Sequence, residues 1–114
     1  MKTVRFLIFM VLLFTAGCTS SKQVIPGWVH QKLLAADRGG ESFEEVWIYE
    51  YQGKTVYYFI PPCCDRFTEL YHASGRLWCK PSGGITGRGD GECKRFFEQR
   101  KNGRLLWKPK RQID

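Results

Sequence analysis

The sequence predicts an α+β domain, an N-terminal helix packed on a four- to five-stranded antiparallel sheet and closed by two disulfides. Three observations carry this prediction. Two runs dense in β-branched and aromatic residues flank Gln52-Gly53, a pair suited to a two-residue hairpin. A stretch with helical apolar spacing precedes them. Four of the five cysteines, Cys63, Cys64, Cys79 and Cys93, lie downstream of that hairpin. Composition agrees: 114 residues at 43% hydrophobic and 15% aromatic hold too much apolar surface for a disordered chain. The length excludes a multidomain enzyme and a polytopic membrane protein.

Residues 1–17 have the three parts of a secretory signal: the cations Lys2 and Arg5, an apolar run from Phe6 to Phe14, and small residues before Cys18. The run is too short for a spanning helix, which needs roughly 20 apolar residues. Ala16-Gly17-Cys18 resembles the bacterial lipobox, in which the cysteine is lipidated and becomes the first residue of the mature chain. A diacyl thioether with an N-acyl chain meets the requirement for stable membrane attachment. Residues 18–25 then read as a polar tether, and 26–114 as one domain. By analogy with lipoprotein sorting, the absence of Asp after Cys18 points to the outer membrane, on the leaflet facing the periplasm.

Pro26-Gly27-Trp28 opens the expected helix, which runs through Asp37 with Val29, Leu33 and Ala36 on one face; Arg38-Gly39-Gly40 stops it. Strands are expected over Glu44 to Tyr51 and Lys54 to Ile60. A two-residue turn sets Tyr51 opposite Lys54, Tyr49 opposite Val56 and Trp47 opposite Tyr58. One face then carries Trp47, Tyr49, Tyr51, Val56, Tyr58 and Ile60, and the other Val46, Ile48, Tyr57 and Phe59. Both faces are apolar, so each is either covered or used for binding. A second hairpin is expected from Arg66 to Lys80 around Ala73-Ser74-Gly75. The glycine-rich stretch Pro81 to Glu92 reads as loop. Phe96 and Phe97 begin a short helical piece that Asn102-Gly103 is expected to break, and Leu105-Leu106-Trp107 reads as a last strand.

In an oxidising compartment the four downstream cysteines read as a disulfide framework. A vicinal Cys63–Cys64 bridge closes a strained small ring. In extended backbone the two side chains diverge, so one is expected to reach Cys79 and the other Cys93, in either assignment. Each bridge is worth about 3 kcal/mol in the chain-entropy model. The spacing lacks the paired C-x₂-C knuckles of a zinc site.

The segments Tyr49 to Tyr58, Cys63-Cys64-Asp65, Leu70-Tyr71 and Pro81 to Cys93 resemble a family of small bacterial lipoproteins found in Bacteroidota-type envelopes, a domain of unknown function. The resemblance runs from Trp28 to Phe97. It implies the same address and disulfide stapling and no particular activity. Where that family pattern has Asp before the turn, this chain has His72.

Asp65, Asp90 and Glu92 are candidate Ca²⁺ ligands, drawn together by the expected bridges, although no EF-hand spacing is present. Asp beside a turn more commonly bonds its own backbone. The glycine-rich loop lacks the G-K-[ST] of a phosphate cradle. Arg88-Gly89-Asp90 matches an integrin-read tripeptide that arises by chance in a basic, glycine-rich loop. For catalysis, only Asp65, His72, Asp90 and Glu92 form a candidate set; no G-x-S-x-G elbow and no C-x-x-C motif occurs. No cofactor is called for.

Charge is uneven. From Lys94 onward eight Lys/Arg stand against two Asp/Glu. These cations suit anionic headgroups, at about 1 kcal/mol each near a charged surface; nucleic acid is excluded by the expected compartment. The reading that follows is a non-enzymatic, lipid-anchored envelope module meeting a partner through Trp47, Tyr49, Tyr51 and Tyr58, since Trp and Tyr are favoured contact residues. The alternatives are an inhibitor of a cell-wall hydrolase or protease acting through the Pro81 to Glu92 loop, and a small envelope enzyme.

Overall fold

The computed structural model describes residues 24–40, 42–62 and 65–109. Its architecture is α+β. Helix α1 (Gly27–Asp37) is followed by β1 (Glu45–Tyr51), β2 (Lys54–Ile60), β3 (Glu69–His72), β4 (Leu77–Cys79), a single turn α2 (Phe96–Gln99) and β5 (Lys101–Trp107). All five strands form one antiparallel sheet in the order β4-β3-β2-β1-β5.

The register between β1 and β2 is the one that the two-residue turn dictates, with Tyr51 facing Lys54, Tyr49 facing Val56 and Trp47 facing Tyr58. Gln52 and Gly53 both take positive φ, 52° and 76°, so the turn twists in the sense of the strands that it joins. The consequence is a central strand with no wet side. Val56, Tyr57, Tyr58 and Phe59 are consecutive and all buried.

Each face has its own core. On one, Val29 of α1 is fully buried against Val46, Ile48, Tyr57 and Phe59. Trp28 anchors the helix there. Its ring meets Tyr57 edge-on at 5.6 Å and Tyr71 at 5.3 Å, and its indole N–H donates to the Ala73 carbonyl at 2.9 Å. Lys32 lays its ammonium 5.2–5.8 Å from the rings of Phe43, Phe59 and Tyr71, a cation–π clamp one helical turn on. On the other face, Phe96 is fully buried against Tyr51, Val56, Tyr58, Leu70, Cys79 and Cys93. Its ring lies 5.1–5.7 Å from those of Tyr49, Tyr51 and Tyr58.

A single disulfide occurs among the described residues, and it joins Cys79 to Cys93. This corrects the pairing expected from the sequence. Discarding the vicinal Cys63–Cys64 bridge forced Cys79 and Cys93 onto other partners. The fold instead ends β4 at Cys79 and returns the loop to the same place, with the two Cα atoms 6.1 Å apart. Cys63 and Cys64 lie outside the described residues, as do the signal segment, Cys18 and most of the tether.

The second hairpin is shorter than expected, because Thr68 leaves the ladder to hold the loop. Its N–H donates to the Ser82 carbonyl at 3.0 Å, and its hydroxyl accepts from the Ser82 N–H at 3.1 Å. Asn102-Gly103 does not break the chain either. It lies inside β5 as an irregularity in the β1–β5 register, with Asn102 at φ 53°. A Cβ at Gly103 would stand 2.3 Å from Cε1 of Tyr49, so the Tyr49 ring lies directly on the glycine.

Two outcomes are expected. Gly103→Ala lowers stability by about 1–3 kcal/mol in a denaturant titration, as overpacking does, while Asn102→Ala costs less. A non-reducing peptide map yields a species linking the Cys79 and Cys93 peptides.

Candidate aromatic contact face

Alternation along β1 puts Trp47, Tyr49 and Tyr51 on the face that Phe96 covers. The cover is incomplete because α2 is only four residues long. Tyr51 and Tyr58 are 4% and 3% exposed and belong to the core, which removes them from the expected contact face. Trp47 and Tyr49 stay half-buried at its margin.

Those two rings stack at 5.9 Å with 13° between their planes. Arg100, just past α2, continues the stack. Its guanidinium lies 5.0 Å from the Tyr49 ring and 4.9 Å from that of Phe97. It also donates from Nη1 to the Tyr49 hydroxyl at 3.2 Å. Burial pushes the Tyr49 phenol up, with the Arg100 charge pulling back and Tyr58 and Glu45 adding to the rise, so it is a neutral acceptor at neutral pH. The Trp47 indole N–H donates to Glu45 Oε2 at 2.9 Å. Leu105 sits directly across from Trp47 in β5. Leu105 and Phe97 are each 43% exposed. The result is a contiguous aromatic and aliphatic margin on a rigid sheet, with one cation set in it.

Phe97, Arg100 and Leu105 were not assigned to this face by the sequence. The signal that could have found Leu105 was its place in a predicted last strand; Phe97 and Arg100 depend on where α2 docks.

The C-terminal cations do not share one surface. Arg100 is stacked over Tyr49, whereas Arg104 faces Ile48, which points to the helix-covered side. Lys110 and Arg111 lie outside the described residues.

The Ca²⁺ candidates do not converge. Asp90 spends both carboxylate oxygens on its own loop, accepting from the Lys80 N–H at 2.9 Å and from the Glu92 N–H at 3.0 Å. Asp65 and Glu92 are exposed. Among the described residues no group of three His, Cys, Asp or Glu side chains is placed to hold a metal ion. The catalytic candidates do not gather either. His72 stacks on Trp78, with ring centroids 4.2 Å apart and planes 6° apart. Lys54 lies 5.8 Å from the same Trp78 ring. A groove of about 680 Å³ between the end of α1 and the end of β5 is lined, among the described residues, by Phe43, Pro62 and Trp107 together with Asp37 and Lys108. Among the described residues no helix is long and apolar enough to cross a membrane.

A family model described as a domain of unknown function, DUF6970, matches residues 32–109. The chain belongs to that family. The match takes in the whole sheet, the Phe96 cover and the aromatic margin, begins part-way along α1 after Trp28 and Val29, and reaches past Phe97 to the end of β5. No curated protein and no solved structure matches the chain.

His72 supplies a pH test of the local geometry. Burial holds its imidazole below the ordinary value near 6.5, and the charges of Arg76 and Lys54 lower it further. Between the folded value and 6.5 the unfolded chain binds more protons, so the contribution of this residue is complete above 6.5 and is lost as pH falls through the folded value. In an NMR titration His72 is expected to titrate below 6.5, and Trp78→Ala is expected to move it up more than Arg76→Gln does.

Proposed function

We propose that this DUF6970 chain is a bacterial lipoprotein, anchored through Cys18 to the outer membrane on its periplasmic side, and that it serves there as a non-enzymatic module that binds a protein partner. The observation that carries the binding half is the Trp47–Tyr49–Arg100–Phe97 stack beside Leu105, apolar area left uncovered at the edge of an otherwise closed core. Side chains already held by stacking lose little freedom on association, and Trp, Tyr and Arg dominate contact energetics where they are desolvated. Arg100 favours a partner surface that offers a carboxylate next to apolar side chains. The anchoring half is supported by the lipobox-like Ala16-Gly17-Cys18 and by the disulfide at Cys79 and Cys93, which fits an oxidising compartment.

Growth with an alkyne fatty acid is expected to label the protein, and Cys18→Ala to abolish labelling. Crosslinked capture from native membranes is expected to recover a partner that Leu105→Asp reduces at least tenfold while the melting temperature stays within a few degrees. Equal recovery by wild type and Leu105→Asp would discard the aromatic margin as the contact surface, whatever the labelling shows.

A further inference from the structure

The loop between Cys79 and Cys93 is held in place at both of its ends. Its start is fixed by the Thr68–Ser82 bonds and by a contact between the hydroxyls of Ser82 and Tyr58 at 3.2 Å. Its end is fixed by Asp90, whose N–H donates to the Lys80 carbonyl at 2.9 Å and whose carboxylate takes two backbone N–H groups. A Cβ at Gly89 would stand 2.0 Å from the Lys80 carbonyl oxygen, and one at Gly83 2.2 Å from that of Arg66, so the backbone passes at contact distance over both. Gly89 N–H reaches the Gly83 carbonyl at 3.1 Å, closing the neck.

Beyond that neck is a four-residue turn, Gly84 to Gly87, closed by the Gly87 N–H on the Gly84 carbonyl at 3.1 Å. Its two central residues are Ile85 and Thr86. Turn chemistry prefers Pro, Asp, Asn, Ser or Gly at such positions. This chain places a β-branched apolar side chain there and leaves it fully exposed, the most exposed large hydrophobic residue among those described. The Phe67 ring lies directly beneath, 2.8 Å from where a Gly84 Cβ would be, and is itself partly exposed. Lys80 sits 5.2 Å over Phe67, and Arg88 is exposed beside the turn.

We propose that Ile85 is a single-residue plug that enters a side-chain-sized apolar pocket on a protein partner, with carboxylates at the rim of that pocket facing Arg88 and Lys80. Two features favour a shaped protein pocket over a membrane surface. A fluid bilayer accepts an apolar tip in any conformation, so it gives no reason to lock the turn; a pocket does, because a preformed loop has less freedom to lose on binding. The apolar tip is also one side chain wide, which matches recognition of a residue and not insertion of a patch. Ile85 and Thr86 form a corner, unlike the extended segment that occupies a protease cleft, so the geometry supports plugging and not substrate-like inhibition. This proposal does not depend on the aromatic margin of β1 and β5.

The test places a photo-crosslinking amino acid at Thr86 of the full-length chain in native membranes. A discrete protein adduct is expected, retained with Ile85→Val and lost with Ile85→Asp. Against the identified partner, Ile85→Val is expected to weaken binding about fourfold and Ile85→Asp at least tenfold. Because Ile85 makes no core contact, both variants are expected to melt with the wild type, and the same probe at exposed Leu34 is expected to give no such adduct. Crosslinking to lipid alone, no adduct, or an adduct that survives Ile85→Asp would each overturn the proposal.

Discussion

Four consecutive buried residues in β2 govern this structure. A strand alternates its side chains between two faces, so burying Val56, Tyr57, Tyr58 and Phe59 together requires an apolar cover on each side of the sheet. Helix α1 is one cover, pinned by Trp28 and Lys32. The other is the segment after β4, which has almost no regular structure of its own. It is held by a disulfide, a set of backbone bonds to Asp90 and Ser82, and the burial of Phe96. Truncating a fully buried Phe typically costs about 3–5 kcal/mol, a large share of the stability of a domain this size. Phe96 is therefore the residue on which the second face most depends.

The surfaces offered for binding are by-products of how that second cover is made. A helix of several turns would have hidden Trp47 and Leu105; one turn reaches only as far as Tyr49 and Tyr58. The Arg100 guanidinium, stacked between Tyr49 and Phe97, closes the margin without removing it from water. The same segment has to travel from Cys79 to Cys93 with little hydrophobic content, and glycines let it lie close on Lys80 and Arg66. That closeness makes the Gly84–Gly87 turn a fixed projection.

Much of the fold was legible because its signals are local. The period-two pattern on either side of Gln52-Gly53 determined the hairpin, its register and the two apolar faces, and Gly39-Gly40 marked where α1 stops. The aromatic face was legible only in part. Trp47, Tyr49, Tyr51 and Tyr58 do share one side, yet nothing local distinguishes the pair that Phe96 buries from the pair at the margin. Asp90 read equally as a cation ligand or a turn residue, and only the positions of the Lys80 and Glu92 N–H groups decide for the turn.

Alternation and turn chemistry, which act within a few residues, determined from the sequence alone that this chain is an α+β domain with a hairpin apolar on both faces. The tertiary structure decided what no local rule reaches: that Cys79 meets Cys93, that Gly103 seats the Tyr49 ring, and that Ile85 is left in water. Those outcomes depend on where the irregular segment after β4 returns to the sheet. That return is set by contacts between residues far apart in the chain, whose closure entropy and packing leave no periodic trace in the sequence.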